Sequence, residues 1–267
     1  MAIDVVSEDG IRIITINRPE RRNALDFEHF EALAEAWVDF RDDDAARVAI
    51  ITGTGKDFTV GADLKSFVPA IAGETERLHE ERKEGKVSRA ENGLIAVLRE
   101  FDLWKPVIAA VNGTCVAGGM EMLMGTDIRI ASTEATFGIL EPRRGLFPGG
   151  GTTVRLPRQI PFPWAMEVLL LGERIPAEKA YRMGIVNAVV SPEQLLDEAK
   201  RWAHTIMENA PLAVEAVKRS VHTALKLPLK EAFEQELMEA AQVFMSEDAK
   251  EGPRAFAEKR APVWQRK

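Results

Sequence analysis

The chain of 267 residues has one cysteine, Cys115, and one tyrosine. A lone cysteine excludes an intramolecular disulfide framework and a Cys-rich zinc site, and it suits a reducing cytoplasm. Histidine is almost as scarce. His29, His79, His204 and His222 are scattered with no pair at metal-ligand spacing. Neither a metal site nor a His-based triad is expected, and each histidine is expected on an exposed helix face. Long apolar runs are missing too. A stretch such as Val107 to Val111 falls far short of the about 20 residues that cross a membrane. Met1 to Gly10 has no basic or apolar region of the kind that opens a secretory signal. Basic charge is in deficit, with 35 Lys+Arg against 42 Asp+Glu and a net charge of −7. Nucleic acid and membrane surfaces are therefore not expected partners.

Apolar residues, at 46%, are plentiful enough to exclude disorder and to fill a large core. The first half alternates strand-like and helical runs, which argues an α/β fold. Residues 11–17 read as a strand, and Asp26 as the N-cap of a helix whose apolar positions are Phe27, Phe30, Ala34, Trp37 and Val38. Residues 48–52, 107–112 and 127–131 read as buried strands. The charged stretch 73–93 is expected to be a solvated helix or mobile loop, with a lid as the alternative. Ser88 to Glu91 resembles a capping box, opening a helix with Leu94, Ile95, Val97, Leu98 and Phe101 as apolar positions and Pro106 as its stop. A second box, Ser191 to Gln194, has proline at the first helical position. Helical patterns then run to about Glu258, so the organisation expected is a core over 1–195 and a helical region over 196–267.

Two segments rich in small residues follow strand-like runs: Val60 to Leu64, and Asn112 to Glu121. A strand-to-helix turn of this kind leaves backbone N–H groups free. Two such turns side by side would form an oxyanion hole; the alternative is that the glycines only permit tight turns and close packing. Gly113 and Gly118 have the glycine spacing of a phosphate-binding loop, but Gly119-Met120 replaces its Lys-Ser/Thr. Glu121 stands among Met120, Met122, Leu123 and Met124, and Glu141 follows Phe137 to Leu140. Burial would raise both pKa values and suit them to proton transfer. The alternative for each is a buried pair with Arg129, Arg143 or Arg144.

Taken together, several segments resemble the crotonase superfamily, specifically the enoyl-CoA hydratase/isomerase family, nearly end to end. They are Asn17-Arg18-Pro19 with Arg22 to Leu25, Gly61 to Leu64, Ala109 to Gly113, Ala117 to Glu121, Asp127 to Ala131, Phe137-Gly138, Pro148 to Gly151, Ser246 to Gly252 and Ala255 to Arg260. The resemblance implies a spiral of ββα units with a C-terminal helical trimerisation region, and a homotrimer or dimer of trimers. It implies an acyl-CoA substrate and no cofactor, CoA being part of the substrate. By position, the N–H groups of Ala62 and Gly118 would hold the thioester oxygen, and Glu121 and Glu141 would be the catalytic acids. Ala62, Asp63, Leu64 and Lys65 would run along the CoA, with Arg22, Ala24 and Leu25 near its adenine end. Phe256 and Lys259 would complete the CoA site, from a neighbouring subunit. Arg21, Arg22, Lys56 and Lys65 are phosphate partners by charge alone. Two departures stand out: Ala117 replaces a glycine common in the family, and Pro142-Arg143-Arg144 is bulkier and more charged than the apolar residues usual there. The implied reaction is hydration of a 2-enoyl-CoA. Alternatives on the same fold are an enoyl-CoA isomerase, a carnitinyl-CoA-type dehydratase and an acyl-CoA hydrolase. A non-catalytic acyl-CoA-binding subunit is the alternative from another class.

Overall fold

The structure is a computed structural model that describes residues 2–66 and 89–267. In chain order the strands are β1 (Ile3–Glu8), β2 (Ile11–Ile16), β3 (Val48–Gly53), β4 (Asp57–Thr59), β5 (Val107–Val111), β6 (Thr114–Val116), β7 (Ile128–Ser132), β8 (Thr136–Gly138), β9 (Ile175–Pro176) and β10 (Ala188–Val190). The described helices are α1 (Phe27–Asp42), α2 (Arg89–Ala96), α3 (Gly118–Leu123), α4 (Thr152–Gln159), α5 (Phe162–Leu171), α6 (Ala177–Met183), α7 (Leu195–Met207), α8 (Pro211–Ala224), α9 (Leu229–Phe244) and α10 (Glu247–Glu258).

The strands form a six-stranded sheet, ordered β1-β2-β3-β5-β7-β10, and a four-stranded sheet, ordered β4-β6-β8-β9. From β2 to β10 the large sheet is parallel; β1 closes its edge antiparallel to β2. A parallel sheet must be covered on both faces, and the residue alternation shows how this is done. Ile14, Ile16, Ala49, Ile51, Val107, Ala109 and Val111 pack into the main core with Phe30, Leu33, Trp37 and Phe40 of α1. Ile11, Ile13, Val48, Ile50, Ile108 and Ala110 face the other way and meet Leu195, Ala199 and Ala203 of α7. Each fully buried large apolar side chain contributes about 1.5–3 kcal/mol. Trp37 also satisfies its indole N–H, which donates to Ala96 O at 3.2 Å. The chain repeats one step three times: a long strand (β3, β5, β7) hands over to a short one (β4, β6, β8). The expected α/β spiral is thus what the chain adopts.

Several local expectations are corrected. Asp26 does cap α1, accepting from the His29 N–H at 3.2 Å, but the ring of His29 turns inward and meets Asp26 at 2.6 Å. His29 is therefore buried, not on an exposed face. The helix expected to run to Phe101 and Pro106 stops at Ala96. Arg99 N–H bonds Leu94 O and Leu98 N–H bonds Ile95 O, a left-handed closure with Leu98 at φ 56° where glycine is usual. Ser88, His79 and the charged stretch up to residue 88 lie outside the described residues. At the second box, Pro192–Gln194 form a 3-10 turn and the Ser191 side chain makes no capping bond; α7 begins after it. The stretch from Asn112 to Glu121, read as a turn, contains the strand β6, in which Cys115 is fully buried. Beyond α7 the chain is helical to Glu258, with α8 packed on α9 and α9 on α10. Among the described residues no helix is long and apolar enough to cross a membrane.

Candidate active site

The small sheet sets the geometry. β4 and β6 pair in parallel, so their C-terminal ends lie side by side. Gly61 follows β4 with φ +83°, and a Cβ on it would sit 2.6 Å from the Gly118 nitrogen. Only glycine meets both the dihedral and the close approach. Ala62 bridges Leu25: Leu25 N–H donates to Gly61 O at 2.9 Å and Asp63 N–H to Leu25 O at 2.7 Å. Those two bonds leave the Ala62 N–H outside the bridge. Gly118 is the first residue of α3, where an N–H has no intrahelical acceptor. A Cβ on Gly118 would lie 3.5 Å from the Ala62 nitrogen, so the two free N–H groups are neighbours. Between β6 and α3, Ala117 adopts φ 53°, ψ −125°. An L-residue in such a region costs about 1–3 kcal/mol. Its N–H is anchored on Gly138 O at 3.0 Å.

Glu121 lies on the first turn of α3, one turn after Gly118, and is 9% exposed. Burial pushes its pKa up to about 7, and the nearby charge of Glu141 adds to the rise. The Gly150 N–H, which donates to Glu121 Oε1, and the charges of Arg99 and Arg155 oppose it. Glu141 opens a 3-10 turn, Glu141–Arg144, and burial raises its pKa as well. Its Oε2 is buried without a hydrogen-bond partner among the described residues. Neither carboxylate forms an ion pair with the arginines considered above, although the charge of Arg144 opposes the rise of the Glu141 pKa. Arg129 bonds Ile185 O, Thr126 O and Gln159; Arg143 pairs with Glu173; Arg144 donates to Leu140 O. Ala62, Gly118, Glu121 and Glu141 are thus brought together. Two acceptor-seeking N–H groups stand beside two carboxyls whose pKa values burial raises, Glu121 to about 7, a set suited to stabilising a developing oxyanion while moving protons.

The remaining predicted residues fall into four groups. Arg22 is committed elsewhere: its guanidinium binds Asp57 (2.6 and 3.2 Å) and Thr114 (3.2 Å), so its charge is already compensated. Ala24 and Leu25 are buried beside Ala62, and Asp63 accepts from Arg18 at 3.2 Å. Leu64, Lys65, Lys56 and Arg21 are exposed. Phe256 and Lys259 stand exposed at the end of α10, and no described contact within the chain carries them to Ala62 or Glu121. Sequence reasoning passed over Gly150, Arg99 and Arg155 as neighbours of Glu121. The run Gly149-Gly150-Gly151 carried the one usable signal, since a Cβ on Gly150 would lie 2.5 Å from Glu121 Oε2.

The chain matches the family model described as enoyl-CoA hydratase/isomerase over residues 7–267. It is 44% identical over 253 residues to an enoyl-CoA hydratase of Mycobacterium tuberculosis, covering 95% of this chain and 92% of that protein. It is 40% identical over 259 residues to a carnitinyl-CoA dehydratase of Salmonella typhi, covering 94% and 93%. A solved enoyl-CoA hydratase from Bacillus anthracis is similar with a TM-score of 0.90 at 30% identity, covering 100% of both chains. One from Mycobacterium tuberculosis gives 0.88 at 37% identity, covering 100% of this chain and 99% of that one.

Proposed function

The chain belongs to the enoyl-CoA hydratase/isomerase family, and from that premise we propose that it adds water across the 2,3 double bond of a 2-enoyl-CoA thioester. The observation that carries the reading is the pairing of Glu121, buried with its pKa at about 7, with Glu141 beside the Ala62 and Gly118 N–H groups. In this reading Glu121 takes a proton from water, whose oxygen bonds to C3. The π electrons move toward C1, charge grows on the thioester oxygen, and the two N–H groups meet it. Each such donor is worth about 2.7–4 kcal/mol in the transition state. Glu141 delivers the proton to C2, which restores the thioester. Burial raises the pKa of both carboxyls, Glu121 to about 7, and the same pair with its roles exchanged serves the reverse dehydration. The similarity to a carnitinyl-CoA dehydratase favours that direction as a second reading.

The CoA would lie along Ala62 to Lys65. Exposed Lys65, Lys56 and Arg21 are the charges available to its phosphates, whereas Arg22 is held by Asp57. CoA arrives with the substrate, and the proposed steps need no further cofactor. The exposed apolar residues of α8 and α9 are proposed to be covered by copies of this chain in a trimer or pair of trimers. Phe256 and Lys259 would then reach a neighbour's site. The proposed catalytic unit is the spiral, and the proposed assembly unit is the helical remainder. A cytoplasmic location is proposed with it.

The test supplies short and long 2-enoyl-CoA esters, follows the conjugated-thioester absorbance and identifies the products. Wild type is expected to hydrate at least one ester. Glu121→Gln and Glu141→Gln are each expected to lower kcat by roughly 10²–10⁴-fold. Absence of turnover across the panel, or full activity in both variants, overturns the reading. A β-hydroxy substrate converted only toward the enoyl ester favours the dehydratase.

A further inference from the structure

We infer that Arg99 is a positioning residue for Glu121: it holds the Gly149–Gly150 peptide so that the Gly150 N–H stays aimed at the carboxylate. This rests on the reading of Glu121 as the base of the proposed reaction. The geometry starts from one planar unit. The Arg99 guanidinium donates to Gly149 O, and the Gly150 N–H of the same peptide donates to Glu121 Oε1. In a trans peptide the C=O and N–H point in opposite directions. Arg99 and Glu121 therefore grip the two sides of a single rigid plate, and fixing the oxygen fixes the direction of the N–H.

The plate needs such a grip. It lies in Gly149-Gly150-Gly151, where the backbone has the widest conformational freedom, and Gly149 is exposed with nothing near the place of a Cβ. Gly150 admits no stiffening side chain, because a Cβ there would collide with Glu121.

Arg99 is itself held by a constructed turn. It sits between Leu98 (φ 56°) and Glu100 (φ 53°), two non-glycine residues in the left-handed region. The carbonyls freed at the end of α2 are taken up by Arg155, which donates to Val97 O and Leu98 O. Arg99 also donates to Glu100 at 3.1 Å. Three elements thus meet at one place: the end of α2, the start of α4 and the glycine loop. The charged groups facing Glu121 from them are Arg99, Arg155 and, from its own turn, Glu141. Removing Arg99 takes away a positive charge and frees the N–H donor together. Both changes favour protonated Glu121, so the acidic limb of activity must move to higher pH.

The experiment compares wild type with Arg99→Gln and Arg99→Lys by the pH profile of kcat/KM on the hydrated ester. Arg99→Gln is expected to move the acidic limb up by about half a pH unit or more, with kcat down about tenfold and KM little changed. Arg99→Lys keeps the charge with one donor, so its limb should stay near wild type with kcat in between. A folded Arg99→Gln enzyme whose limb stays in place overturns the assignment, whatever happens to kcat, because a merely structural role predicts that result. Should Arg99→Gln not fold, Arg99→Lys decides: a severalfold lower kcat supports the assignment, and wild-type kcat overturns it. Infrared titration of the Glu121 carboxyl, assigned against Glu121→Gln, reads the same displacement without turnover. If wild type hydrates nothing the proposed reaction falls, and this titration still judges the Arg99 contact.

Discussion

At the scale of the residue, the chain places a carboxyl where burial opposes its charge. Glu121 has a folded pKa of about 7 against an ordinary value of 4.5, mainly from burial. Between those values the folded state holds a proton that the unfolded state has released. The stabilisation is therefore fully present below the unfolded pKa near 4.5 and is lost as pH rises through about 7. Above pH 7 the buried charge costs on the order of 3 kcal/mol. Glu121→Gln removes the titration while keeping the shape. The variant is expected to be clearly more stable than wild type in denaturant at pH 8, with the difference shrinking toward pH 5, even as it loses activity. Equal gains at both pH values would contradict a raised pKa at Glu121. Loss of activity with gain of stability at one position is the mark of a group kept for chemistry and not for the fold.

At the scale of the element, what was legible follows from how local the cause is. Strand β3, α1 and the Asp26 cap are written in residue alternation, helical spacing and one capping side chain, and they stand as read. Glu121 was legible because its apolar neighbours announce burial. The strands of the small sheet are three residues long or shorter and exist only through pairing with segments far along the chain, which no local pattern carries. Arg99 and Arg155 were hidden for a related reason: both bind main-chain carbonyls, and a carbonyl has no residue type to match. The stop of α2 at Ala96 is likewise supported from afar, by Arg155 on the Val97 and Leu98 carbonyls, whereas the inward turn of His29 rests on a local contact with the Asp26 cap that its scattered spacing did not suggest. Ala117 is a departure visible in the sequence whose meaning needed the structure, since it holds φ 53°, ψ −125° at the entrance to α3. Ala117→Gly should relieve about 1 kcal/mol of strain after the entropy lost to a freer unfolded chain, raising the denaturation midpoint. An unchanged or lowered midpoint would mean that the alanine methyl contributes packing that outweighs the dihedral.

At the scale of the whole molecule, the helices α8 and α9 carry exposed apolar residues that a single chain leaves uncovered. Val217 and Val221 on α8 are exposed, as are Phe233, Leu237 and Met238 on α9. Val217 with Val221, and Phe233 with Leu237, are four residues apart, so each pair shares a helix face. These positions are the ones the proposed contact between copies of the chain would cover. The whole chain carries a net charge of −7, and the proposed substrate is itself an anion, so the exposed cations proposed to meet its phosphates matter more than overall charge. If Phe256 and Lys259 reach a neighbour's site as proposed, catalysis is tied to assembly. Leu237 is the place to separate the two: it is 69% exposed in the single chain, so a polar residue there leaves the core untouched. In a closed symmetric trimer the same change is repeated at every interface, and each copy would bury an unpaired charge. Leu237→Glu is expected to turn a trimer or hexamer into smaller species in sedimentation velocity, with unchanged far-ultraviolet dichroism. The rise in KM for the CoA ester should exceed the fall in kcat, because the lost contacts would lie on the CoA and not at Glu121. A wild type that sediments as a monomer at assay concentration would remove the shared-site idea. A dissociated Leu237→Glu enzyme with wild-type KM would leave the assembly standing but place the CoA site within one chain.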